Sequence, residues 1–386
     1  MTATGAAMFS LFGDWPEDRL FQLHTDKAKG SNEGSNYPEF YIENEPAQPG
    51  IHNILRSIGR RGGRSAYARI ESWVREMKPE VIYYRAIDKP RFMWWLPIVL
   101  SDQLGIPLVT HIMDDWPKRL TDTARNEGRH RDAERIHDQL AQTFRQSRKA
   151  LSICDKMSRA FEERYGVPFV AFQNTIDYAE WSGVSRTRSY EDDGTFRIVY
   201  AGSLADDMTL QSFVELSEAV GVLRDQGIPI QLNVYGARWW QNVFDREVGQ
   251  KPGVKYIGFV PRARYVQSLV DADLLAMPIN FDSRSMNYIR YSLANKAPDY
   301  MAAGAPILVY GSPESATVEY AIRHRWAEVV SQQGVEHIAK AVKDLIEQPA
   351  KRAELVQKAA KVGTAFHDSA KNRERFRKLL CEAVDG

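Results

Sequence analysis

Cysteine is nearly absent: Cys154 and Cys381 are the only two in the chain. Two isolated thiols make no disulfide framework and lack metal-ligand spacing, so a reducing compartment is the natural setting. Net charge is also scarce, with 51 Lys and Arg against 50 Asp and Glu, which excludes the strongly basic profile of a dedicated nucleic-acid binder. Long apolar runs are missing too. The best candidate, Phe92 to Leu100, is short and interrupted by Pro97, so it does not span a bilayer. The start, Met1 to Met8, has neither the basic segment nor the apolar core of a signal peptide. These absences point to a cytoplasmic protein and leave room for peripheral contact with the inner face of the cell membrane. What is present is ordinary globular composition, 44% hydrophobic and 26% charged over 386 residues, enough for two domains.

Residues 1–63 carry little periodicity. Met8 to Phe12 reads as a helix start or a short strand, Arg19 to His24 as a short helix, and Ser31 to Pro49 as a loop rich in turn residues. Arg56, Arg60, Arg61 and Arg64, spaced by glycines, form a basic patch. It suits a solvated loop, or a contact with anionic lipid or an acidic acceptor. From Ser65 onward strands and helices alternate. Strands are expected at Val81–Tyr84, Leu108–Met113, Ala150–Ile153 and Phe169–Phe172, with helices between them, including one long polar helix over 118–148. A second alternation begins at Phe196. Strands are expected at Phe196–Tyr200, Ile230–Tyr235, Val254–Ile257, Leu274–Met277, Ile307–Val309 and Ala327–Val330. Alternation of this kind implies parallel sheets. The expected organisation is therefore an α/β chain of two Rossmann-like parallel-sheet domains, 1–181 and 196–365, joined by a polar linker at 182–195. A final helix over 366–386 is free to pack back toward the first domain.

Two such domains place a cleft at the carboxyl ends of their strands. The chain's most informative stretch is 291–309. Ser292 and Asn295 can cap a helix, Pro298 suits its first turn, Gly304 and Pro306 stop it, and Ile307 to Val309 form a buried strand. A helix start at the edge of a parallel sheet favours anions. Lys296 adds a cation there, and Asp299 offers a carboxylate to ribose hydroxyls. Phosphate and ribose together suggest a nucleotide.

The segments Ile198 to Leu204, Leu232 to Gly236, Val254 to Val260, Asp271 to Pro278 and Tyr300 to Pro306, in that order with Lys296, resemble the C-terminal domain of a retaining GT-B glycosyltransferase near family 4 (group 1). His111 to Trp116 and Asn174 to Asp177 resemble the acceptor domain more loosely. The resemblance implies a GT-B fold with its two domains facing across a cleft. It also implies a nucleotide-diphosphate sugar held by the second domain and a glycan or lipid-linked saccharide acceptor at the first. Neither cofactor nor metal is implied. Position by position, Asp299 stands where a glutamate usually holds ribose, although its side chain is one methylene shorter. Ser292 and Leu293 stand where backbone amides meet the diphosphate, Gly202 on the turn that lets the backbone approach, and His111 near the transferred sugar.

The departures are instructive. The family often carries an arginine and a lysine after the Gly202 strand; here Ser203 and Met208 or Thr209 occupy those places. The charge must then come from elsewhere, with Arg238, Arg284, Arg290 and Lys296 as candidates, and Gly236 as a second close-approach glycine. Tyr291 or Ser292 sits near the missing first glutamate, and almost no strand precedes Thr4-Gly5. Each residue also has a plainer assignment. Lys296 suits a surface lysine, Asp299 a first-turn aspartate, and His111 a satisfied strand-end histidine. Asp114 and Asp115 suit either acceptor binding and base chemistry or the cap of the helix after Pro117. An epimerase on the same architecture and a binding protein without catalysis are the rival functions.

Overall fold

The structure is a computed structural model, and it describes residues 11–25, 38–43, 45–46, 61–188 and 190–386. The Thr4-Gly5 turn and the basic residues Arg56 and Arg60 lie outside the described residues, as do the side chains of Arg61 and Arg64. The chain divides into two units. One comprises Leu11–Phe172 with Arg373–Gly386, and the other Gln173–Asn372.

In the first unit β1 (Gln22–His24) and β2 (Glu39–Tyr41) form a small parallel pair. The strand pair replaces the helix expected over Arg19 to His24 and part of the expected loop. The main sheet runs β3 (Ile82–Arg85), β4 (Leu108–Ile112), β5 (Lys149–Ser152) and β6 (Phe169–Ala171) in simple order, all parallel. Every residue of β4 is buried, as a parallel strand covered on both faces requires. The single polar helix expected over 118–148 is two helices, Trp116–Asn126 and His130–Gln146. Gly128 sits between them at φ +73°, a left-handed conformation that ends the first helix. Phe376, from the returning helix Ser369–Asp385, packs against Phe12, Tyr83 and Phe172 with ring centroids 5.1–5.5 Å apart. Arg375 donates to the Ala171 carbonyl at 3.0 Å.

The second unit holds β7 (Phe196–Ala201), β8 (Ile230–Tyr235), β9 (Val254–Tyr256), β10 (Leu274–Pro278), β11 (Ile307–Tyr310) and β12 (Glu328–Val330). Their order across the sheet is β12-β11-β10-β7-β8-β9, and every pairing is parallel. This doubly wound order reverses between β7 and β10, the switch point where such sheets bind ligands. Alternation sorts the strands' side chains into two core layers. Val199, Leu275, Met277, Ile307 and Val309 face one way; Ile198, Tyr200, Leu274, Ala276, Leu308 and Tyr310 face the other. Strand β8 alternates buried and half-buried, so its Gln231, Asn233 and Tyr235 line an incompletely covered strip.

Residues 182–195 belong to this second unit. Asp271 accepts from the Thr187 amide at 2.7 Å, and Asp273 pairs with Arg186 and Arg188. The chain passes between units at Phe172–Gln173 and again at Asn372–Arg373. Just inside the second unit the two passing segments are stitched together. Ile176 donates to the His367 carbonyl at 2.8 Å and accepts from Ser369 at 2.9 Å. His367 Nδ1 lies 2.7 Å from the Asn174 carbonyl and Nε2 3.1 Å from Tyr320 Oη. Burial lowers its pKa to about 4. Among the described residues no helix is long and apolar enough to cross a membrane.

Candidate functional site

The switch point of the second unit begins with Gly202, directly after β7. Its amide donates to the Tyr235 carbonyl at 3.0 Å. A Cβ at Gly202 would lie 2.5 Å from Tyr200 Oη, and one at Gly236 would lie 3.0 Å from the Gly202 carbonyl. Two adjacent strand ends thus approach each other through glycine. Tyr200 Oη donates to the Ser203 carbonyl at 2.5 Å, and Thr209 Oγ1 donates to the same oxygen at 2.7 Å. These bonds fix the turn where the arginine and lysine were sought. On the other side of the switch, Asn280 is completely buried after β10. Its side chain accepts from the Ser212 amide at 3.2 Å and donates to the Asp206 carbonyl and Ser285 Oγ at 2.9 and 3.0 Å. Asn280 therefore ties the two loops at the switch together.

Asp299 lies in the first turn of the short helix Ala297–Ala302, and the next residue connects it to this turn: Tyr300 Oη accepts from the Ala201 amide at 2.9 Å. The Asp299 carboxylate accepts from Tyr265 Oη at 3.0 Å, and from the two ends of the Arg262 guanidinium at 3.3 and 3.4 Å. Arg262 in turn pairs with Glu180 at 2.8 Å. Lys296 Nζ sits 5.0 Å from the Tyr265 ring centroid. Burial holds the Lys296 ammonium below its usual range, opposed by the Asp299 charge and reinforced by Arg262. Arg262 titrates above its ordinary value because Asp299 and Glu180 outweigh its own burial. The cluster thus contains two cations, two carboxylates and a tyrosine. Of these, Lys296 and Asp299 are candidates from the sequence, whereas Arg262, Tyr265 and Glu180 were not named there. Arg262 and Tyr265, three apart at the start of helix Arg262–Val270, share a face, which was the available signal.

The other donor-side candidates are placed as follows. The Ser292 amide donates to the Ile289 carbonyl at 3.1 Å, closing the preceding helix, so it is already engaged. Leu293 has a buried side chain. Thr317 Oγ1 binds the loop on both sides of it, accepting from the Ala294 amide at 2.9 Å and donating to the Ser292 carbonyl at 3.2 Å. Arg290 pairs with Glu314 at 2.6 Å. Arg284 pairs with Asp206 where both side chains are well exposed, a contact of small energetic weight. Arg238 is exposed in the turn after Gly236.

In the first unit, His111 is wholly buried on β4. Its Nδ1 shares a 2.7 Å hydrogen bond with Tyr83 Oη, and its Nε2 has no partner among the described residues. Burial lowers its pKa to about 3. Asp115 is 1% exposed. It caps the helix Trp116–Asn126 through the Lys118 amide at 3.2 Å and takes a bidentate pair of bonds from Arg164 at 2.6 and 2.8 Å. Both His111 and Asp115 are buried, at 0% and 1% exposure, and Asp115 is held by the helix cap and by Arg164. Asp114 is half-buried in the turn after β4. No group of three or more His, Cys, Asp or Glu among the described residues is arranged to hold a metal ion.

The family model described as glycosyl transferase-like matches residues 215–380. No curated protein is similar enough to count as a relative. Among solved structures, HepE of Anabaena in complex with UDP is similar at a TM-score of 0.70 and 16% identity, over 99% of this chain and 96% of that one. The same protein with UDP-glucose gives 0.67 and 15%, over 98% and 96%. Sucrose-phosphate synthase from Thermosynechococcus elongatus gives 0.65 and 11%, over 94% and 88%. At these identities the likeness speaks for the fold: α/β, with parallel sheets in two units, of the GT-B class.

Proposed function

We propose that this protein is a glycosyltransferase using a nucleotide-diphosphate sugar, with Asp299 as the acceptor for ribose hydroxyls and Lys296 and Arg262 supplying the positive charge the diphosphate requires. The observation that carries this reading is the Asp299–Lys296–Arg262–Tyr265 cluster beside the Gly202 turn, at a switch point in a sheet of GT-B class. Arg262 answers the missing cationic pair: the charge comes from the helix after β9 rather than from the turn after β7. Its bonds to Asp299, at 3.3 and 3.4 Å, are at the long end of hydrogen bonding. They are the ones a ribose hydroxyl displaces at least expense, leaving the guanidinium on Glu180 or free to meet phosphate. The ligands of HepE, UDP and UDP-glucose, support a uridine nucleotide as the first choice.

Transfer with retention, near glycosyltransferase family 4, is the finer reading. Cations and backbone amides stabilise charge on the leaving diphosphate, and no metal is called for. The acceptor is a glycan or lipid-linked saccharide, met at the cytoplasmic face, and Asp114 is the remaining acceptor-side carboxylate. The test is UDP and UDP-glucose binding by calorimetry in the wild type and in Asp299→Ala. Loss of hydrogen bonds to a charged acceptor weakens binding by about 10- to 150-fold. Wild-type indifference to all nucleotide diphosphates would refute the reading. Equal affinity in wild type and variant would remove Asp299 from the site. Donor consumption without any acceptor, giving a changed sugar, would favour an epimerase, and binding without turnover a protein that has lost catalysis.

A further inference from the structure

We propose that the loops closing β8 and β9 form a docking site for an anionic lipid surface. The two loops adjoin at the outer edge of the second unit's sheet. The Gly236 amide donates to the Gly258 carbonyl at 3.3 Å, and Tyr256 Oη donates to the Ala237 carbonyl at 2.7 Å. Each loop thrusts out one large aromatic side chain: Trp239 is 74% exposed and Phe259 82%. They are the two most exposed large hydrophobic residues among those described. The neighbouring Trp240 is packed against the core beneath, so the turn is anchored by one tryptophan and presents the other.

The stretch carrying these loops is basic in composition, although Lys251 is paired with Glu218, and Arg262 with Glu180 and Asp299, from outside it. Between Gly236 and Arg264 there are six Lys and Arg against two Asp and Glu. Both acids are engaged, Asp245 by Gln241 at 2.9 Å and Glu247 by Arg246 at 2.6 Å. Arg238, Lys255 and Arg264 have no ion pair among the described residues. Two exposed aromatic side chains on adjoining loops, with unpaired cations in the same stretch of chain, match the headgroup region of an anionic bilayer. Indole and phenyl rings settle at the acyl boundary, and basic side chains meet the lipid charge. Apolar insertion and basic attraction act together here, and two signals are what stable peripheral binding requires.

This inference does not depend on the nucleotide-sugar reading, because its test needs no nucleotide. The full chain is sedimented with phosphatidylcholine vesicles containing about one phosphatidylglycerol in four, and with pure phosphatidylcholine. The wild type is expected to partition onto the anionic vesicles and to be released by salt. Trp239→Ala with Phe259→Ala should weaken partitioning at least about tenfold. Lys255→Glu with Arg264→Glu should do the same by about tenfold or more on anionic vesicles, and have little effect on neutral ones. Unchanged thermal unfolding in both double variants confirms that folding is intact. Absence of wild-type binding to anionic vesicles, or equal binding by the variants, would overturn the proposal. If the aromatic variant instead dissolves a dimer in sedimentation velocity, the patch belongs to a second copy of the chain.

Discussion

Replacing Gly202 by alanine probes the turn at the heart of the site with one methyl group. The new Cβ would stand 2.5 Å from Tyr200 Oη, 2.8 Å from Cζ and 3.1 Å from Cε2. The ring has little room to yield: it is buried against Phe213 at 5.3 Å between centroids, and its hydroxyl is bound to the Ser203 carbonyl. Forcing a methyl into such packing costs about 1–3 kcal/mol, and losing the hydroxyl bond about 1 kcal/mol more. Gly202→Ala should therefore lose about 2–4 kcal/mol of local stability, read as faster hydrogen exchange of the β7 amides. Tyr200→Phe alone should lose only about 1 kcal/mol, because Thr209 still serves the Ser203 carbonyl. Combined, the two should lose less than their sum, since the 2.5 Å conflict disappears while the ring atoms remain close. A coupling of about 1 kcal/mol lies well outside additive behaviour. UDP affinity should fall in Gly202→Ala and return in part in the double variant. Strict additivity of the two changes, or a neutral Gly202→Ala, would refute the reasoning.

Two buried histidines make stability depend on acid. His111 and His367 are held down to about 3 and about 4 by burial, whereas an unfolded imidazole titrates near 6.5. Below about pH 6.5 the unfolded chain therefore binds protons that the folded chain refuses. Stability is full above that pH and falls through the window down to about 4 for the second unit and about 3 for the first. The slope approaches about 1.4 kcal/mol per pH unit for each histidine. Urea unfolding at pH 7 and pH 5 should show the loss, and His367→Gln should flatten it; an unaltered slope in that variant contradicts the assignment. In the first unit, Arg164→Met would strand the buried Asp115 carboxylate and should destabilise by about 3–5 kcal/mol. A loss under 1 kcal/mol in denaturant titration would show that Asp115 finds another partner.

The second unit was legible because its strands carry their own boundaries. Ile230 to Tyr235 alternates strictly and is bracketed by Pro229 and Gly236, and the expected strand and the observed one coincide. Where two elements shared one polar surface pattern, as over 118–148, periodicity ran through Gly128 and concealed the break. Residues 182–195 look like a linker because they are polar, yet their polarity is spent on Asp271 and Asp273, which are distant in sequence. The site divided along the same line. Lys296 and Asp299 are neighbours in the chain and were named together, while Arg262 meets Asp299 and Glu180 only through the fold. His111 was placed near the sugar by the family resemblance, and Asp115 was open between acceptor chemistry and a helix cap. Their burial is something no local pattern reveals.

The return of the chain into the first unit bears on the order in which the protein is made. Phe376 fills the space among Phe12, Tyr83 and Phe172, so the first unit's core stays open while the ribosome is still adding residues 173–372. The second unit has all its strands and both core layers within that uninterrupted span. During synthesis the later-made unit can therefore complete itself first. The earlier-made one lacks the Phe376 contacts until residues 373–386 are added. Domains ordinarily fold in the order they emerge; here the first unit's aromatic core also needs a residue made after all the strands of the second.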